Sequence, residues 1–368
     1  MRYFFILGRN PELSRAEVYS YLVGRRIEFK ELLFKNNFLV IDTFNKNKTI
    51  LDIQKFGGVL KLGDILFSGK EEELGSFLEK DDLTEKEKFT YSVFGNFHEA
   101  EDYLRDKFKK ERRKAIIRHG RKNLKLQEGD YVSLSNSDVE FFSFNDEGEI
   151  YFGVAQQDYS YENVKKRDMK KPVRREGLAI SPRLAKIMIN LSQVKEGQLM
   201  LDAFCGVGGI LQEALIQGVN VYGIDKDSAA IENSKRNLKW LKENFKIDAE
   251  YVLIHDNSKQ APDKRFDAIV SETPLGFMFR KKPKENEVRQ VIFDFERSIV
   301  PILNRMRNIK KPLAKIVLTM PCTENMSVRI DDICYRTGLR ISNIKNIKMP
   351  IKEFRPDQFI SREIVVLD

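Results

Sequence analysis

Cysteine is scarce in this chain: Cys205, Cys322 and Cys334 are the only three among 368 residues, and none stand in CxxC spacing. That excludes a disulfide framework and a zinc cluster, and it fits a reducing, cytoplasmic setting. Histidine is equally rare, with His98, His119 and His255 scattered, so neither a metal site nor a catalytic triad is expected. No run of about 18 apolar residues occurs. The opening MRYFFILGRNPELS turns polar after a very short apolar stretch, so export and membrane insertion lack support.

What is present is enough apolar material to build packed cores: 42% hydrophobic and 32% charged residues, far from a disordered composition. A length of 368 residues exceeds an ordinary single core, so two or three domains are expected. A net charge of +9 and a pI near 9.2 favour a polyanionic partner, of which nucleic acid is the commonest.

Residues 1–60 alternate short apolar runs, such as Tyr3 to Leu7 and Phe38 to Ile41, with a helical stretch from Leu13 to Leu22. Ser14 and Glu17 have the spacing of a capping box, and a small α+β region is expected. A second region, 61–160, carries the basic residues Arg112, Arg113, Lys114, Arg118, Arg121 and Lys122 around Ile116–Ile117, a pattern that suggests an edge presenting cations on one side. Between Lys165 and Arg175 seven of eleven positions are Lys or Arg, interrupted by Pro172. Residues 161–176 therefore read as an exposed basic linker, either solvated or in contact with phosphates.

From 177 to 368 the pattern changes. Ser181 and Pro182 open a helix in which Leu184, Ile187, Met188 and Leu191 fall on one buried face. Strands at 198–204, 220–225, 251–255 and 266–272 alternate with helices at 210–217 and 228–245, and further strands follow at 314–320, around 341–349 and at 363–367. That order predicts a doubly wound, largely parallel α/β sheet.

The first of these strands runs into Leu201-Asp202-Ala203-Phe204-Cys205-Gly206-Val207-Gly208-Gly209, and a helix begins at once. Glycines there let backbone approach a ligand closely. A dinucleotide fingerprint needs a third small residue where Leu211 stands, which disfavours NAD or FAD. Asp202 suits a cationic methionine group and would repel a pyrophosphate. Asp225 closes the second strand, where a carboxylate can accept both ribose hydroxyls of an adenosine, and Asp256 follows the third, placed to meet the adenine amine. The expected ligand is S-adenosylmethionine, held by Pro182, Asp202, Phe204, Cys205, Gly206, Gly208, Gly209, Asp225, Lys226, Asp256 and Ser271.

Together with Arg167-Asp168, Lys171-Pro172, Arg174-Arg175, Ser181 to Ala185 and Asn190-Leu191, these residues resemble the THUMP-containing methyltransferases that act on the exocyclic amine of tRNA guanosine. The likeness is tightest from the connector through the glycine turn and looser over residues 1–160, which look like ferredoxin-like and THUMP regions. It implies a class I methyltransferase domain of Rossmann-like fold at 177–368, tRNA as partner, and RNA contacts from Arg112, Arg113, Lys114, Arg118, Arg121, Lys122, Arg174 and Arg175. A small activator subunit and a homo-oligomer are both left open.

In such enzymes an Asp/Asn-Pro-Pro-aromatic loop after the fourth strand gives the flipped base an aromatic face and oxygen acceptors for its amine. Here the loop is Ser271-Glu272-Thr273-Pro274-Leu275-Gly276, similar to a Thr-Glu-Pro-Tyr-Leu-Gly variant but with Thr273 for proline and Pro274 for tyrosine. Glu272, Thr273 and Pro274 are the candidate catalytic residues, Glu272 being the acceptor for the target amine. Phe277 or Phe279 would have to supply any aromatic face, and the cluster Arg280, Lys281, Lys282 and Lys284 follows directly. The altered loop leaves two other readings in play: a tRNA-binding or partner protein impaired in catalysis, and a DNA amino methyltransferase.

Overall fold

The computed structural model describes residues 1–44, 51–118, 137–158, 161–174, 180–276, 279, 281–354 and 359–368. Its contacts divide the chain into two compact units: Met1–Pro11, Ile27–Ile53 and Val59–Tyr159 form one, and Glu12–Arg26, Gln54–Gly58 and Ser160–Asp368 the other. Helix α1 (Pro11–Gly24) thus groups with the second unit, almost entirely, although the sequence places it between strands of the first.

Among the described residues the first unit is built on eight strands: β1 (Arg2–Leu7), β2 (Phe29–Lys35), β3 (Phe38–Thr43), β4 (Val59–Gly69), β5 (Lys88–Gly95), β6 (Lys114–Ile117), β7 (Val139–Asp146) and β8 (Glu149–Asp158). They pair in the order β2-β3-β1-β4-β8-β7-β5-β6, so one sheet carries strands from both sides of residue 60. Helices α2 (Glu71–Lys80) and α3 (Ala100–Lys110) bury Leu74, Leu78, Leu104 and Phe108 against Phe89, Phe141 and Phe152. A separate cluster gathers Phe4, Phe38, Phe94, Phe142 and Phe144. Phe141 and Phe142 fall in different clusters because successive residues of a strand point to opposite faces.

The second unit holds α4 (Tyr161–Met169), α5 (Pro182–Leu191), β9 (Leu199–Asp202), α6 (Gly209–Ile216), β10 (Asn220–Asp225), α7 (Ser228–Asn244), β11 (Tyr251–His255), β12 (Phe266–Ser271), α8 (Glu285–Ile309), β13 (Lys310–Cys322), α9 (Ile330–Thr337), β14 (Ile351–Glu353) and β15 (Ser361–Leu367). The sheet order is β11-β10-β9-β12-β13-β15-β14. β9 to β13 run parallel, and β15 and β14 add an antiparallel edge. This is the expected Rossmann-like α/β sheet. Helix α5 begins as its sequence dictates, with the Ser181 side chain accepting the Leu184 amide at 3.2 Å and Pro182 in the first turn.

Two local expectations fail. Ser14 and Glu17 form no capping box, because α1 already starts at Pro11 and both residues lie inside it. The Glu17 carboxylate instead accepts the amides of Gly57 and Gly58 at 2.6 and 2.7 Å and the Asn190 side chain at 2.7 Å, all buried. Nor is there a strand over 341–349: Ile341 and Ile344 make only isolated bridges, since Lys345 and Asn346 turn the chain through positive φ. The adjacent strand is β14.

The supposed basic linker is likewise partly folded. Lys165, Lys166 and Arg167 lie on α4, and Arg167 is buried, gripping Glu213 of α6 at 2.7 and 3.0 Å. Lys171 is buried too, and burial pulls its ammonium below the usual lysine range.

Candidate active site

The chain leaves β9 for β10 and β11 on one side and returns to β12 and β13 on the other. Strand order therefore reverses between β9 and β12, and in such sheets the ligand crevice lies outside the carboxyl ends of those strands. Asp202 is the last residue of β9, Asp225 the last of β10 and Ser271 the last of β12, with Glu272 next. The parallel pairing follows from crossover connections, through α6 from β9 to β10, α7 from β10 to β11 and α8 from β12 to β13, and the buried apolar strands leave polar residues at their ends.

Asp202 is 1% exposed, and its Oδ1 accepts the Phe204 amide at 3.2 Å. Burial pushes its carboxyl up to about 7; hydrogen bonds from Phe204 and Ser271 oppose the rise, and the negative charges of Asp225 and Glu272 add to it. Those two charges act on Asp202 only because the strand ends bring them near it. Asp225 in turn fastens the glycine turn, accepting the Gly206 amide at 2.9 Å and the Asp227 amide at 3.0 Å.

Gly206 has φ +52°, and a Cβ placed on it would meet nothing within 4 Å. The space beside this turn is open. Gly208 differs: at φ +85° its added Cβ would come within 2.6 Å of the Ser234 Oγ, so the helix packing itself requires glycine there. Gly209, whose Cβ would lie 3.1 Å from Ile180, starts α6.

The other expected ligand residues divide by exposure. Phe204 and Asp256 are half-buried and Lys226 is exposed, while Pro182 and Cys205 are buried. Asp256 bonds the Asn257 amide at 2.6 Å, and burial pushes the Cys205 thiol up. Ser271 is fully buried; its hydroxyl accepts the Ala203 amide at 2.8 Å and bonds Asp202, so it acts on the crevice through Asp202.

In the loop after β12, Thr273 is buried and turned to β13: its amide donates to the Thr319 Oγ1 at 3.1 Å and its hydroxyl to the Thr319 carbonyl at 2.6 Å. Pro274 is exposed and Phe279 half-buried, while Phe277 and Arg280 lie outside the described residues. Glu272 is half-buried and accepts the Arg362 Nε at 2.7 Å. Arg362, on β15, is 1% exposed. Arg362 falls outside the strand expected at 363–367, because β15 begins at Ser361; an arginine beside the apolar run Ile364 to Leu367 is the available signal in the sequence.

Of the candidate RNA contacts, Arg112, Lys114, Arg118 and Arg174 are exposed. Arg113 is occupied by Asp82 at 2.7 Å, Glu111 at 2.8 Å and backbone carbonyls of Thr84 and Lys86. Arg121, Lys122 and Arg175 lie outside the described residues, as does His119. Among the described residues no helix is long and apolar enough to cross a membrane, and no group of three or more His, Cys, Asp or Glu could hold a metal ion.

Residues 171–305 match the RMKL-like methyltransferase domain family, UPF0020. A tRNA (guanine(10)-N2)-dimethyltransferase of Methanothermobacter thermautotrophicus is 42% identical over 98 residues, 27% of this chain and 28% of that protein, so the aligned part spans under a third of that relative. A probable tRNA (guanine(10)-N2)-dimethyltransferase of Methanothermococcus thermolithotrophicus is 30% identical over 115 residues, 29% of this chain and 68% of the relative. Among solved structures, TrmN from Thermus thermophilus covers 100% of this chain with 99% of its own, at TM-score 0.53 and 13% identity, a likeness of fold.

Proposed function

Since the chain belongs to the tRNA (guanine(10)-N2)-dimethyltransferase family and carries its methyltransferase domain, we propose that it transfers a methyl group from S-adenosylmethionine to the exocyclic N2 of a guanosine in tRNA. The observation that carries this reading is the convergence of Asp202, Asp225 and Glu272 at the carboxyl ends of adjacent strands, beside the open Gly206 turn. The acids suit a ligand that is cationic at one end and rich in hydroxyls at the other. Asp202 would face the ammonium and Asp225 the ribose hydroxyls, with the open space at Gly206 admitting backbone contact. When bound, the donor supplies an electrophilic methyl: a nitrogen–carbon bond forms as the carbon–sulfur bond breaks, the electron pair staying on sulfur and a proton leaving nitrogen.

The protein's part is chiefly to orient. The amine of guanine is a poor nucleophile because its lone pair is shared with the ring, so an acceptor that grips its N–H turns the lone pair out of conjugation and toward the methyl carbon. Glu272 is that acceptor, and its carboxylate also receives the departing proton, directly or through water. Arg112, Lys114 and Arg118 fit phosphate contacts that would hold the RNA without reading its bases.

The reading is tested by incubating the purified protein with labelled donor and total tRNA and digesting the product to nucleosides. N2-methylated guanosine is expected, and guanine 10, named for the family, is the first position to inspect. A second reading, tRNA binding with impaired catalysis, draws on Thr273 being spent on Thr319 and on the exposed Pro274 where relatives of this loop type place an aromatic. Tight tRNA binding with no labelled guanosine at saturating donor would favour it; equal methylation of duplex DNA would favour a DNA enzyme.

A further inference from the structure

Arg362 occupies an improbable place. Among the described residues it is the largest fully buried side chain, on a strand that also buries Ser361, Glu363, Ile364, Val365, Val366 and Leu367. A buried ion pair contributes little net stability compared with apolar residues of the same volume, because both charges must shed water. Burial of this guanidinium beside Glu272 therefore points to work other than stabilisation. Its neighbour Glu363 takes the other side of the strand, bonding Ser327 at 2.6 Å, so the alternation of β15 aims Arg362 at the loop after β12.

We infer that Arg362 is a positioning residue: it fixes the Glu272 carboxylate through Oε1 and leaves the second oxygen turned to the amine of the target base. The inference rests on the functional reading above. A guanidinium has a planar, directional set of N–H donors, so it sets the angle of the carboxylate as well as its charge. It also offsets the crowding of three acids, since Asp202 of β9 and Asp225 of β10 share the electrostatic environment of Glu272. With Pro274 exposed where relatives of this loop type place an aromatic, the geometry of the Glu272 acceptor matters the more.

Steady-state kinetics of wild type, Arg362→Met, Arg362→Lys, Glu272→Ala and Glu272→Ala with Arg362→Met test this, using labelled donor and tRNA. Arg362→Met is expected to lower kcat about 30-fold while KM for donor and for tRNA stays within about threefold, because the lost contact acts at the reacting nitrogen. In the Glu272→Ala background the same change should cost under about threefold, since the group being positioned is gone. Arg362→Lys should recover part of the loss. Equal losses in both backgrounds, or a loss confined to donor KM, overturn the inference. If Arg362→Met fails to fold, as shown by circular dichroism, Arg362→Lys carries the cycle: about fivefold in wild type against under about twofold in Glu272→Ala. An inactive wild-type protein overturns the functional reading instead, whereas an active one whose kcat ignores Arg362 overturns only the positioning role.

Discussion

Glu17 and Asn190, 173 positions apart, meet in a buried hydrogen bond of 2.7 Å. Around it the amides of Gly57 and Gly58 also point at the Glu17 carboxylate, the Arg183 Nε donates to the Gly57 carbonyl at 2.6 Å, and Lys186 donates to the Gln54 carbonyl at 2.7 Å. This network fastens α1 and residues 54–58 to α5, the helix that precedes β9.

Glu17→Ala would strand three buried donors, and the expected cost is about 3 kcal/mol of unfolding free energy. Glu17→Gln, which keeps one acceptor, should cost less. Urea denaturation followed by circular dichroism measures both, and an alanine variant within about 0.5 kcal/mol of wild type would show the network to be incidental.

Acidity offers a second test. The folded Asp202 carboxyl titrates near 7, against about 3.9 for an unfolded aspartate. Between those values the native state holds the extra proton, so the stability this group confers is fully present below about pH 3.9 and is lost as pH rises through about 7, by up to about 4 kcal/mol. Donor affinity should run the opposite way. A cationic ligand prefers the carboxylate, so binding is expected to weaken below about pH 7, approaching tenfold per pH unit. Calorimetric titration with the donor across that range checks it, with Asp202→Asn expected to bind weakly and without the slope; a wild-type affinity indifferent to pH would refute the assignment.

Gly206 and Gly208, the positive-φ glycines of the turn after β9, should separate folding from binding. Gly206→Ala adds a methyl to open space at a backbone strain of about 1–2 kcal/mol, so the protein should fold while donor affinity falls about tenfold or more. Gly208→Ala drives the methyl into Ser234 as well as straining the backbone, and its main expected effect is a lowered melting temperature. Thermal melts with and without donor distinguish the two. Unchanged donor affinity in Gly206→Ala would mean that the ligand lies elsewhere.

Arg113 and its neighbours make a further contrast, between charge that holds the fold and charge that meets RNA. Arg113→Gln removes partners of Asp82, Glu111 and two carbonyls, so it should lower the melting temperature and leave the salt dependence of tRNA binding nearly unchanged. Arg112→Gln and Lys114→Gln should each reduce the slope of log affinity against log salt by about 1 while stability holds. Slopes unaltered in both exposed variants would remove this edge from the RNA-binding surface.

The sequence by itself determined the elements whose signals are local. Ser181-Pro182 starts α5 because capping and a fixed proline φ need no distant partner. The glycine turn, and the acids Asp202 and Asp225 closing β9 and β10, stand out because strand, turn and helix follow one another within a few residues. Tertiary structure decided the rest, wherever the deciding partner is remote in sequence: Glu17 left its capping spacing for the amides at 57 and 58, Arg167 left a presumed linker for Glu213, and Thr273 turned to Thr319. Glu272 acquired Arg362, 90 residues away, only because β15 folds back antiparallel beside β13. A buried charge finds its counter-charge through the assembled sheet, and periodicity along the chain carries no record of that meeting.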